Sequence, residues 1–188
     1  MNFPPKIGSS PPYTGFSKGP SSSSWHSWLL SHIPKLQRLI LFFVTGAGAG
    51  YFPWFPGTVG TLLAIPFSFA LNRTADFSLP LSLLTLAAFI AIATWFCKKG
   101  EEIFHQKDCR RIVIDEIAGF LLANFLSPPE IRSTIAAFLL FRFFDIIKPF
   151  PAARAEKIQG GVGVILDDLI AGLYTFLILR LLFLWSLL

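Results

Sequence analysis

The sequence predicts an all-α fold, a compact bundle of about six helices that is associated with a membrane or spans it. Three observations predict it. The chain is 53% hydrophobic and only 14% charged, and its mean hydropathy is +0.60, well above an ordinary soluble domain. Its apolar residues fall in long runs with no sustained strand-like alternation. Proline, glycine and charge clusters interrupt those runs at helix-length intervals.

The elements follow in order. Residues 1–34 read as a flexible Pro/Ser-rich tail and residues 35–188 as the helical domain. The stretch "SSPPYTGFSKGPSSSS" has too little apolar surface to offset the entropy of ordering it. The first apolar run is Leu36–Val44, and "GAGAGYFPWFPG" turns the chain. A second run, Val59–Leu71, ends at "NRTADFS". The third, Leu79–Phe96, nears the length of about 20 residues that a membrane span needs. A charged loop at 98–110 follows. Two shorter runs, Ile112–Leu126 and Ile131–Ile147, form a hairpin turned at "SPPE". After "KPFPAARAEKIQGGVG" the last run, Val164–Leu188, is long enough to span.

Charge and cysteine usage narrow the function. Net charge is +5, but no basic run with interleaved aromatics occurs, which argues against nucleic acid and for anionic lipid headgroups. Cys97 and Cys109 lie outside any CxxC, and the histidines are dispersed. Neither a thiolate–histidine metal site nor a histidine nucleophile fits that pattern. Between the third and fourth runs, Lys98, Lys99, Lys107, Arg110 and Arg111 outnumber Glu101, Glu102 and Asp108. Before the last run, Lys148, Arg154 and Lys157 outnumber Glu156. The positive-inside tendency puts both segments on the cytoplasmic side.

That topology gathers the charges. Asp115 and Glu116 open one apolar run, Arg142, Asp145 and Lys148 close the next, and Asp167 and Asp168 begin the last. All three sets fall near one face. Five carboxylates converging there would repel, and ionised carboxylates in so apolar a chain lose hydration. A hard divalent cation with oxygen ligands, Mg²⁺, is the simplest compensation, with Asp115, Glu116, Asp167 and Asp168 as its ligands. Helix capping is the competing reading, and it accounts for one acid of each pair. Arg142 and Lys148 suit a phosphate clamp, fork and point charge, or an Arg–Asp ion pair that only neutralises itself. In "PGTVGT", Gly57, Thr58, Gly60 and Thr61 place amides and hydroxyls near a helix start, where they can face a phosphate or simply make a tight turn. There is also an internal echo: Asp115 and Asp168 each precede a glycine, Gly119 and Gly172, by four residues. Such glycines let a neighbouring helix approach closely.

Taken together and in this order, "FPGTVGTLLAIP", "RIVIDEIAGF", "FLLFRFFDIIKPFPAARAE" and "GGVGVILDDLIAGLY" resemble the phosphatidylglycerophosphatase A family of bacteria. The resemblance implies a Mg²⁺-dependent enzyme that removes the terminal phosphate of phosphatidylglycerophosphate, giving phosphatidylglycerol. It also implies an inner-membrane location, with the acidic, Arg/Lys and glycine positions above as the site. Phosphomonoester hydrolysis needs charge neutralisation and an activated water, which those residue types supply. A cysteine-phosphatase loop fails, because six positions after Cys109 stands Asp115, not an arginine. The competing class is a non-catalytic transporter or channel lined by intramembrane charges, which would need those charges at depth.

Overall fold

The computed structural model describes residues 35–188 except 108, 156, 157, 159, 187 and 188. The tail read at 1–34 lies outside the described residues. Leu36–Leu188 form one compact unit. The helices are α1 (Lys35–Val44), α2 (Pro56–Phe77), α3 (Leu79–Phe104), α4 (Ile114–Ala123), α5 (Ile131–Ile147), α6 (Ala152–Ala155) and α7 (Gly161–Leu184), with a 3₁₀ turn at Ala49–Tyr51. No strand occurs among the described residues, as the apolar runs predict.

Several boundaries differ from the sequence reading by a few residues, α4 and α7 among them, and three differences have a plain physical reason. Helix α2 starts at Pro56, whose missing N–H costs nothing in a first turn. It also runs through "NRTADF" instead of turning there. Asn72 explains why: buried on α2, it donates to the carbonyls of Asn124 (2.8 Å) and Ser127 (3.2 Å) and accepts from Leu126 N–H (2.9 Å). Those bonds tie the α4–α5 turn to the helix. Helix α3 continues through the charged residues after Phe96 to Phe104, with Lys99 and Glu102 paired at 2.6 Å one turn apart. The short α6 lies in a segment read as a turn, so the described helices number seven.

Helix α4 is the centre of the bundle. Eight of its ten residues are buried. At about 1.5 Å per residue it is far too short to cross a bilayer. It packs against α2, α3, α5 and α7. The packing depends on small residues. A Cβ on Gly119 of α4 would stand 2.7 Å from the Asp168 carbonyl oxygen, and one on Gly172 of α7 would fall on the Gly119 carbonyl. The glycines of the internal echo therefore face one another and bring the two acidic helices into backbone contact. Phe120 and Phe141, both fully buried, meet edge to face at 6.0 Å beside this crossing.

The outside of the bundle is apolar. On α5, Ile131, Ile135, Leu139, Phe143 and Ile147 form an exposed stripe at helical spacing. Two helices, α3 and α7, are long and apolar enough to cross a membrane, each with mean hydropathy 2.0. Only 17% of the apolar window of α3 is buried in the protein. Water would not tolerate so large an exposed apolar face, whereas lipid matches it.

Candidate active site

The charged sets meet at one end of the bundle. Ile114 starts α4, so Asp115 and Glu116 occupy its first turn. Helix α5 runs the opposite way and delivers Arg142 and Asp145 in its last two turns, with Lys148 as its C-cap. Asp167 and Asp168 sit in the second turn of α7. Together these seven side chains line a cavity of about 210 Å³, with Gly57 at its wall. Thr58, Gly60 and Thr61 do not line it. Thr61 is fully buried and donates its hydroxyl to the Gly57 carbonyl at 2.9 Å.

Capping does not account for the acids. Neither α4 nor α7 has a side-chain cap; their N-cap residues are Val113 and Gly160. Asp115 Oδ1 accepts the Glu116 N–H at 2.9 Å within the first turn, where the helix dipole favours its charge. Arg142 Nη1 lies 2.6 Å from Asp145 Oδ2 and 3.4 Å from Glu116 Oε1. Lys148 Nζ lies 2.7 Å from Asp167 Oδ2. Among the described residues both ion pairs of Arg142 use Nη1, which leaves Nη2 and Nε of the guanidinium fork for another acceptor.

Glu116 is held in a fitted cradle. A Cβ on Gly57 would fall on Glu116 Oε1, and one on Gly60 would come within 2.9 Å of Oε2. The glycines of "PGTVG" thus make room for a carboxylate side chain. Oε2 is buried with no hydrogen-bond partner among the described residues. Burial, then the neighbouring Asp115, push the Glu116 carboxyl well above its usual range, while Arg142 pulls it down.

The lining tests the fit of a divalent cation. Five carboxylates (Asp115, Glu116, Asp145, Asp167, Asp168) face three cations (Arg110, Arg142, Lys148), an excess of two negative charges when all are ionised. The donors are hard oxygens, and Glu116 Oε2 lacks a partner. Among the described residues no three Asp, Glu, His or Cys side chains are already converged on one point as a metal cage. Mg²⁺ does not require one: it keeps several waters and binds through one or two carboxylates plus substrate phosphate. The residues fit that mode.

Some lining residues were not foreseen from sequence. Arg110, Cys109, Trp54 and Phe55 also border the cavity. Arg110 stood in a segment read only as a basic loop, and no local spacing relates Trp54 to Asp115. The link is tertiary: Val113 N–H donates to the Val44 carbonyl at 3.0 Å, and a Cβ on Gly50 would fall on the Arg111 carbonyl. These contacts hold the α1–α2 connection against the strand of chain entering α4.

The sequence is similar to known proteins. The phosphatidylglycerophosphatase A family model matches residues 42–183. A Bacteroides thetaiotaomicron protein, provisionally named a phosphatidylinositol-3-phosphatase, is 40% identical over 142 residues, covering 72% of this chain and 87% of that one. The phosphatidylglycerophosphatase A of Escherichia coli is 33% identical over 131 residues, covering 68% and 73%. That of Haemophilus influenzae is 30% identical over 155 residues, covering 81% and 94%. No solved structure matches. The family model spans α4, α5 and nearly all of α7, the three helices that carry the acidic and basic sets, and the chain belongs to the phosphatidylglycerophosphatase A family.

Proposed function

We propose that this chain hydrolyses the terminal phosphomonoester of phosphatidylglycerophosphate, giving phosphatidylglycerol and inorganic phosphate. The observation that carries the reading is one cavity gathering seven charged residues from three helices of an otherwise apolar bundle. Its place is the bacterial inner membrane, with the cavity open to the cytoplasm. The basic residues Lys98, Lys99, Lys107, Arg110 and Arg111 before α4 support that side.

In this reading Asp115, Glu116, Asp167 and Asp168 hold Mg²⁺. The bound cation would neutralise phosphate charge and lower the pKa of water. The chain's own groups do the rest. The free arm of the Arg142 fork and the Lys148 ammonium bind the nonbridging oxygens as negative charge develops. A cavity carboxylate takes the proton of the attacking water. Water oxygen bonds to phosphorus, the bond from phosphorus to the glycerol oxygen breaks, and that oxygen leaves as a hydroxyl, taking the proton that the carboxylate accepted. Asp145 fixes the guanidinium from one turn away. Gly57 borders the cavity in the first turn of α2, where a backbone N–H has no intrahelical acceptor, and is a further donor for phosphate.

A second reading differs in headgroup only. The name of the Bacteroides relative points to the 3-phosphate of a phosphoinositide, also a phosphomonoester on a lipid headgroup. Purified protein in mixed micelles with Mg²⁺ separates the readings. Phosphate should be released fastest from phosphatidylglycerophosphate. Faster release from phosphatidylinositol 3-phosphate would establish the second reading. Release from neither would leave the charged cavity to a transporter or channel.

A further inference from the structure

Trp54 and Phe55 border the charged cavity, yet they are 74% and 63% exposed. Side chains that line a cavity and remain so exposed stand at its mouth, one face inward and one outward. Tyr51 and Phe52, each 50% exposed, continue this aromatic surface along the same connection. The connection is not a loose loop. Pro53 and Pro56 restrict its backbone on either side of Trp54 and Phe55. Gly50 packs directly against the Arg111 backbone, so the aromatics keep a fixed position relative to the cavity. Beside them stands Arg110, exposed and without an ion-pair partner among the described residues.

The combination is specific. Trp at a bilayer boundary sits at headgroup depth, its ring apolar and its N–H wet. A phospholipid substrate must bring an anionic headgroup into a polar cavity while its acyl chains stay in lipid. The mouth has both requirements side by side: an apolar aromatic edge continuous with the cavity, and a cationic guanidinium. We propose that the segment Tyr51–Phe55 is an interfacial portal, embedded at headgroup level, through which a glycerophospholipid slides laterally into the cavity. Trp54 and Phe55 lie along the glycerol and upper acyl region, and Arg110 meets the phosphodiester that is not hydrolysed. The proposal deepens the lipid-phosphatase reading and rests on it for the identity of the phosphodiester.

Depth can be read without turnover. Trp54 is made the sole tryptophan by changing Trp25, Trp28, Trp95 and Trp185 to Phe, and the protein is placed in phosphatidylcholine–phosphatidylglycerol vesicles. Bromine on shallow acyl carbons should quench Trp54 more than bromine on deep ones, and aqueous iodide should quench it weakly. Strong iodide quenching with no bromolipid effect would overturn the proposal. Should that variant misfold, wild-type protein carrying 5-fluorotryptophan gives the same answer. The Trp54 resonance is assigned by its loss in Trp54→Phe, and its broadening by a lipid-borne or an aqueous paramagnet is compared. The functional arm uses Trp54→Ser/Phe55→Ser. Hydrolysis of long-chain substrate in vesicles should fall about tenfold more than hydrolysis of a short-chain soluble analogue, because only the former needs the portal. Equal losses on the two substrates would overturn the portal and make these residues part of the cavity wall alone. Bromolipid quenching stands whether or not the proposed phosphatase activity does.

Discussion

Gly57→Ala isolates the role of the Glu116 cradle. The added methyl would fall on Oε1 and stand 2.6 Å from Glu116 Cδ and 2.8 Å from Oε2. Ordinary contact begins near 3.4 Å, so the carboxylate must retreat by more than about 1 Å, and a misplacement of about 1 Å already costs on the order of 100-fold in rate at a catalytic site. That factor is about 2.7 kcal/mol of transition-state stabilisation. Folding should survive, because the displaced atoms are the end of a flexible side chain and Ala is a better helix former than Gly by up to about 1 kcal/mol. The assay is phosphate release in mixed micelles, with thermal unfolding in detergent as the fold control. A double-mutant cycle with Glu116→Gln supplies the decisive comparison. If Gly57 acts by seating Glu116, the second substitution adds little to the first. Wild-type turnover in Gly57→Ala, or losses that multiply in the double variant, would refute the cradle argument.

Chelation should abolish phosphate release and added Mg²⁺ restore it, and full activity in excess chelator would remove the metal from the account. Lys148 caps α5 with φ 48° and ψ 61°, a left-handed conformation that favours glycine. Lys148→Gly should therefore unfold later than Lys148→Ala, by about 1 kcal/mol, although both lose turnover; equal stabilities would mean the backbone there is not strained. His105→Cys and Gln106→Cys, in a background lacking Cys97 and Cys109, should resist a membrane-impermeant thiol reagent in intact cells and label after lysis. Labelling from outside would reverse the topology.

Much of the bundle was legible because apolar runs and proline–glycine breaks are local signals. Helix α5 begins and ends where its run does, at Ile131 and Ile147. The meeting of Asp115, Glu116, Arg142, Asp145, Lys148, Asp167 and Asp168 was legible from one hairpin and the loop charges, because short antiparallel connections bring helix ends together. What failed locally was decided by contacts between distant residues. Arg73 and Asp76, 3.7 Å apart, look like loop residues in sequence but extend α2, whose end Asn72 fixes to the α4–α5 turn. Lys98 to Glu102 read as a loop because they are charged, yet they are the end of an apolar helix. The close seat of Gly57 and Gly60 against Glu116 has no signature at all in residue spacing. Glycines after "FP" suggest amides facing an anion; they also leave space for a side chain from α4, and only the packed structure distinguishes the two uses.

The central claim is that the carboxylate cavity is where the lipid phosphate is cleaved. Asp168 tests it most directly: it is buried, lines the cavity, and lies beside Gly119 at the α4–α7 crossing. The measurement is inorganic phosphate released from phosphatidylglycerophosphate with Mg²⁺ by wild type and by Asp168→Asn, both shown folded by circular dichroism. Wild type should release phosphate steadily, and the variant should lose on the order of 100-fold or more of that rate. Undiminished release by folded Asp168→Asn would contradict the claim.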